Sequence, residues 1–362
     1  MTRILLRLIV LTLLLIAGLW LAVYHLTWRP QAREPVAATC STSTAPLLVP
    51  GQALKVMTWN IQYLAGKRYV FWYEPAAGSD PDERPTAQDL AFNLDEVVRV
   101  IRDEQPDLVL LQEAGDGAKN TDYQNQVALL QERLVDLYPC NIQAWQWQAE
   151  FVPHPHIWGS VGLTLSTFSR YRIDSAERLQ LPVQPVNVVL RQFQPKPALL
   201  VSYLPLSDGN RLAAINTQLY APRPGDDTLH QQVEAIVRLL DQLTGNGTPW
   251  LIGGDFNLLP LGQYARLSVE QRQPYPADSP LHRLWDAYPM IPDNSEASGI
   301  ERRRWLTHWP NDPRLDGPDR TLDYLFFNPS LKRLDAQVRQ ADTLDISDHL
   351  PVLARLLLPK RP

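Results

Sequence analysis

Cysteine is nearly absent: Cys40 and Cys140 are the only two among 362 residues. That excludes a disulfide-dense small scaffold and a thiolate-rich zinc site. No Gly-rich phosphate loop and no GxSxG elbow occur, and His154 and His156 do not form an HExxH pair. P-loop, α/β-hydrolase and zincin-type chemistry therefore have no support. There is no internal repeat, and 17 Gly with 32 Pro are too few for a collagen-like or low-complexity chain. With 45% hydrophobic and 20% charged residues, the chain is not disordered. An excess of positive charge is missing as well. The formal charge is −5, which argues against a protein that coats nucleic acid through a basic face.

What charge there is divides unevenly. Residues 1–33 carry Arg3, Arg7, Arg29 and Arg33 and no acid, so residues 34–362 carry a net −9. Residues 8–24 contain no charge at all. Extended to Ile4–Leu26, the run makes a helix of ~35 Å, enough for a ~30 Å hydrocarbon core. Arg7 can snorkel to the headgroups, while Trp20, Tyr24 and Trp28 suit the far interface. A cleaved signal peptide is the competing reading. The apolar stretch is too long for it, and the small-residue site at Val36-Ala37-Ala38 lies too far downstream. We therefore expect a transmembrane anchor over residues 1–28, a Pro/Ala/Ser/Thr tether over 29–52 and one large domain over 53–362. The flanking arginines tie two against two; the free amino terminus tips the anchor toward N-inside, with the domain outside the cytoplasm. There Cys40 and Cys140 could pair across ~100 residues or remain unrelated thiols, with nothing in the sequence to choose.

Short apolar runs at 56–59, 108–111, 199–203, 212–215, 250–252, 324–327 and 352–358 read as buried strands. Ser207-Asp208-Gly209-Asn210 reads as a hairpin turn. Helical spacing joins Leu90, Leu94, Val97 and Ile101 behind a Thr86/Asp89 cap, then Val127, Leu130, Leu134 and Leu137, then Leu229, Val233, Ile236, Leu240 and Leu243. Hairpins mixed with helices predict an α/β fold of two sheets packed face to face with helices outside.

These strands have polar ends that a core does not need. Asn60, Gln112-Glu113, Asn216-Thr217-Gln218, Asp255 with Asn257, Asp323, and Ser347-Asp348-His349 follow in series. One Asp at a strand end is ordinarily a turn residue or cap. Six such ends on one edge would converge in space. Carboxylates with amide oxygens suit Mg²⁺ or Mn²⁺, and an Asp–His pair fixes an imidazole tautomer. Together these equip metal-assisted attack on a phosphoester.

The ordered segments Thr58–Gln62 (TWNIQ), Leu110–Ala114 (LLQEA), Ile215–Leu219 (INTQL), Gly253–Asn257 (GGDFN), Thr321–Phe327 (TLDYLFF) and Ser347–Val352 (SDHLPV) resemble the endonuclease/exonuclease/phosphatase superfamily, which includes deoxyribonucleases and sphingomyelinases. The resemblance spans residues 54–357 and suggests a membrane-anchored, bacterial-type member. It implies a four-layered α/β sandwich of two mixed β-sheets. By motif it implies Glu113 as the main Mg²⁺ ligand, with Asn60 and Asp348 supporting the metal. Asp255 would orient or activate water, Asn257 would hold a phosphoryl oxygen, and Asp323 would pair with His349 at the scissile phosphate. Asn216 belongs to the same catalytic set. One position departs from the pattern: Gln218 stands where the family usually carries a His that helps the leaving group. Glutamine donates a hydrogen bond but no proton. His154 or His156 could substitute for it.

Substrate contacts are expected from Arg170, in a further family-like segment, and from the aromatic residues Trp72, Tyr73 and Trp309 beside the first and fifth motifs. Arg302-Arg303-Arg304 is the one tight basic cluster and could meet phosphate or solvent equally. The resemblance supports a membrane-anchored Mg²⁺-dependent phosphodiesterase acting on a lipid or head group. Two alternatives are an extracytoplasmic nuclease acting on DNA or RNA, and a phosphate-binding module without turnover. The expected partners are a phosphoester substrate and the membrane, and nothing points to a protein partner.

Overall fold

The computed structural model describes residues 2–41, 45–72, 81–82, 84–312 and 314–360. Helix α1 (Thr2–Leu26) comes first. It is long and apolar enough to cross a membrane, with none of its apolar window buried against the rest of the chain. The strands are β1 (Arg33–Val36), β2 (Thr39–Cys40), β3 (Ala53–Asn60), β4 (Leu108–Gly115), β5 (Cys140–Val152), β6 (Gly159–Ser169) and β7 (Ser175–Gln180). They continue with β8 (Ala198–Pro205), β9 (Arg211–Gln218), β10 (Trp250–Asp255), β11 (Met290–Ile291), β12 (Asp323–Phe327), β13 (Lys332–Val338) and β14 (Val352–Leu357). They form two mixed seven-stranded sheets, ordered β13-β14-β3-β4-β6-β5-β2 and β1-β7-β8-β9-β10-β12-β11.

Alternation decides the layers. Val56, Leu108, Leu110, Leu200, Leu212, Leu251 and Leu325 point between the sheets into one shared core. Met57, Trp59, Val109 and Leu111 point the other way, under α2 (Ala87–Glu104) and α3 (Gln126–Leu134). Ile215, Trp250, Ile252 and Phe326 lie under α5 (Thr228–Gly245), which follows the short α4 (Leu190–Phe193). Helix, sheet, sheet, helix is the four-layered sandwich expected. The α2 cap is also where the sequence places it: the Thr86 hydroxyl accepts from Asp89 N at 3.0 Å.

The segment over 29–52 differs from a free tether. β1 pairs with β7, β2 pairs with β5, and Cys40 and Cys140 are joined by a disulfide. The Pro-rich composition reads as a linker, yet Arg33–Val36 finds an open sheet edge to complete.

Candidate active site

The chemistry-bearing residues gather where β3, β4, β9 and β10 end. Parallel pairing of β3 with β4 sets Asn60 beside Gln112. Across the gap, Asp255 of β10 pairs with Gln218 of β9 on one side and Asp323 of β12 on the other, so three of these residues form one row. Glycine lets the two rows meet. A Cβ at Gly253 would lie 2.7 Å from Leu325 Cδ2 and 2.9 Å from Leu110 Cδ1, so only the bare backbone fits between the sheets.

Glu113 reaches the same cleft by breaking its own strand. The β4–β6 register shifts between Leu111 and Ala114, and Glu113 has φ 57°. A bulge in the left-handed region is costly for a non-glycine residue. Here it turns the carboxylate toward Asn60 and Gln218, whose amides both donate to Oε1. Asn257 is likewise left-handed, with φ 53°.

The carboxylates crowd one another. Asp255 Oδ2 accepts from Asn257 Nδ2 at 3.1 Å and Asn60 Nδ2 at 3.3 Å, and lies 3.8 Å from His349 Nε2. Burial, with Asp323 and Glu113 adding to it against His349, pushes the Asp255 carboxyl up to about 7. Burial and the charge of Asp348 also raise Glu113. Burial raises Asp348, against the opposing charges of His349 and Lys67. His349 Nδ1 donates to Asp323 Oδ2 at 2.8 Å. Burial disfavours the imidazolium, but Asp323, Asp255 and Asp348 outweigh it and hold His349 well above its ordinary value.

A divalent cation fits this set. Glu113 and Asp348 present hard oxygens, and the cleft gathers four carboxylates, Glu113, Asp255, Asp323 and Asp348, around His349. Asp323 Oδ1 and Gln218 Oε1 are buried without a hydrogen-bond donor. Asn60 supports such an ion indirectly, because its Oδ1 accepts from Gln62 N at 3.0 Å while its amide steadies Glu113.

Not every expected residue faces the cleft. Asn216 does not face the cleft. It is fully buried, donating to Leu111 O and Ser166 O at 2.9 Å and accepting from Gln112 Nε2 at 2.6 Å, which rivets one sheet to the other. The Asn257 amide donates to Leu219 O and Asp255 Oδ2, both at 3.1 Å, which sets it directly beside the Asp255 carboxylate. Arg170 lies at the wrong end of the sheet. Its Nε donates to Pro106 O at 3.2 Å, ahead of β4, whereas Glu113 is near that strand's far end. At the β5–β6 turn the ring of His156 stacks on Trp72 and that of His154 lies tilted against it, with centroids 5.2 and 4.3 Å away, whereas the Gln218 amide donates to Glu113 and Asp255. Trp309 does border the site, its backbone N–H donating to Asp348 O at 2.8 Å. Tyr73 lies outside the described residues.

His308 escaped sequence reasoning. Its ring lies 4.4 Å from His349 and its Nδ1 donates to Asp348 O at 3.1 Å. His308, Asp348 and His349 offer ligand atoms within 4.8 Å of one another. The available signal was its place beside Trp309, already assigned to the cleft rim.

A family model described as "Endonuclease/Exonuclease/phosphatase family" matches residues 57–349. No curated protein matches by sequence. Solved structures share the fold. An endonuclease/exonuclease/phosphatase from Beutenbergia cavernae DSM 12333 is 20% identical, with TM-score 0.55, over 86% of this chain and 73% of that one. One from Bacteroides vulgatus is 16% identical, with TM-score 0.53, over 85% and 99%. The human Nocturnin catalytic domain with bound sulfate anion is 14% identical, with TM-score 0.51, over 89% and 96%.

Proposed function

The chain belongs to the endonuclease/exonuclease/phosphatase family, whose members are phosphoester hydrolases that generally depend on a divalent metal, and from that premise we propose that it is a membrane-anchored, Mg²⁺-dependent phosphodiesterase acting on a lipid or its head group. The observation that carries the chemistry is the row Gln218–Asp255–Asp323, closed by His349 and facing Glu113. Glu113 and Asp348 would hold the cation, which when bound supplies positive charge to a phosphoryl oxygen.

The chain's own residues do the rest. Asp255, raised toward neutrality, orients water and takes its proton. Asn257 and Asn60 fix the Asp255 carboxylate through its Oδ2. Asp323 holds His349 with Nδ1 protonated, leaving Nε2 toward Asp255 and the cleft, where an imidazolium meets anionic phosphate. Gln218 steadies Glu113 and Asp255, so a proton for the leaving group must come from elsewhere.

Location supports the lipid reading. The Arg3–Leu26 helix would keep the domain beside a bilayer, and the Cys40–Cys140 bridge suits an oxidising compartment outside the cytoplasm. The test is turnover by the full chain, with Mg²⁺, of sphingomyelin, inositol phosphates, DNA and RNA in parallel. Lipid or head-group cleavage is expected to dominate. DNA nicking at far higher rates would replace this reading with a nuclease.

A further inference from the structure

Nothing flexible separates the apolar helix from the domain. Thr27, directly after α1, is buried and bridges to Ala149 of β5, and Trp28 lies 4.7 Å beneath the Arg178 guanidinium. Strand directions identify the edge on which this happens. β4 and β5 are both antiparallel to β6, so they run the same way, and Gly115 and Trp147 both pair with Leu163. Ala149 therefore lies about four residues along β5 beyond the level at which β4 presents Glu113. Three residues before it, Gln146 donates to Gln218 O at 3.2 Å. At ~3.3 Å per residue, the end of α1 is roughly 10 Å along β5 from the catalytic cleft.

Two apolar features leave the same edge. The β5–β6 turn carries Trp158, which is 63% exposed. The β7–β8 loop leaves from Gln180, paired with Ala198, and Leu199 in turn pairs with Thr217, so the loop stands next to Gln218. It exposes Val188, Val189 and Leu190 at 55%, 44% and 53%. Between this loop and the chain leaving α1 is a groove of about 230 Å³ lined in part by Arg29, Arg191 and Lys196. Exposed Trp and aliphatic side chains beside cations match a bilayer interface with anionic headgroups.

We propose that Trp158, the Val188–Leu190 segment and the Arg29/Arg191/Lys196 groove form a rim that seats the catalytic edge on the surface of the bilayer holding α1. The rim and α1 surround one corner of the cleft, so the enzyme works on phosphoesters in its own leaflet. This rests on α1 spanning the membrane and deepens the lipid reading above.

The test uses the full chain in phosphatidylcholine–phosphatidylglycerol vesicles, with the Cys40–Cys140 bridge intact. An NBD fluorophore is attached in turn to W158C, L190C and S207C; Ser207 is exposed in the β8–β9 turn at the opposite edge. Each protein is first floated with its vesicles and washed with carbonate. Aqueous dithionite added outside is expected to bleach labels at 158 and 190 several-fold more slowly than at 207. Equal bleaching at all three positions in floated protein would overturn the rim while leaving the anchor intact. Failure to float would overturn the anchor, and the rim with it.

Discussion

Replacing Cys40 and Cys140 together by Ser should cost most of what the bridge contributes. The bridge closes a loop of 100 residues. Loop-closure entropy for that length corresponds to about 4.7 kcal/mol at 25 °C. A smaller enthalpic loss is expected too, because β2 is a two-residue strand whose pairing with β5 is centred on the disulfide. For a domain of this size, where ~1 kcal/mol moves Tm by roughly 2–4 °C or less, melting should fall by about 10 °C. The assay is thermal unfolding of the full chain in detergent, comparing native protein, reduced protein and the double Ser variant. Reduced protein should match the variant, and added reductant should leave the variant unmoved. A Tm change below about 2 °C, with both thiols titrated as free, would refute the reasoning. It would mean that β1–β7 pairing and the burial of Leu48 in the core between the sheets already restrain the segment over 29–52.

Other perturbations have defined signs. Asn216→Ala removes the inter-sheet rivet and strands Leu111 O and Ser166 O; at ~1–3 kcal/mol per buried group, stability measured in urea should fall by roughly 2–5 kcal/mol, and an unchanged midpoint would contradict the structural role. Gln218→His should preserve phosphodiesterase turnover or raise it, by at most ~10²–10⁴-fold, whereas a large loss would assign Gln218 a specific substrate contact. Burial, with the charges of Arg178 and Arg29, lowers the Lys196 ammonium to about 8. The folded state then sheds this proton before the unfolded chain does, so stability rises with pH between about 8 and the unperturbed 10.5. The Tm advantage of Lys196→Met over the wild type should shrink across that window; a constant difference would remove Lys196 as the titrating group.

Much of the site was legible because its residues are polar where packing needs none. Asn60, Glu113, Asp255, Asp323, Asp348 and His349 each end or border a hydrophobic run, and the sheets bring them together as expected. Asn216 misled for a physical reason: it also ends a strand, but its side chain turns between the sheets, and periodicity does not separate an edge-facing amide from an inter-sheet one. Arg170 is placed by motif, and only hydrogen-bond geometry shows its guanidinium held ahead of β4, away from the cleft. The long β5–β6 hairpin was missed because its polar positions, Gln143, Gln146, Ser166 and Thr167, are buried or partly buried in the sheet, which weakens alternation as a signal. β1 was invisible because a four-residue edge strand containing Pro35 carries linker composition.

The most direct measurement of the proposed chemistry is hydrolysis of bis(p-nitrophenyl) phosphate by the purified full chain, titrated with Mg²⁺, in the wild type and in Glu113→Gln and His349→Ala. Turnover should require the cation. Glu113→Gln should shift the Mg²⁺ requirement upward, and His349→Ala should lower kcat by at least ~10²-fold at saturating Mg²⁺. Turnover that persists in chelator, or that survives both substitutions unchanged, would contradict a metal-dependent phosphodiesterase built on Glu113 and His349.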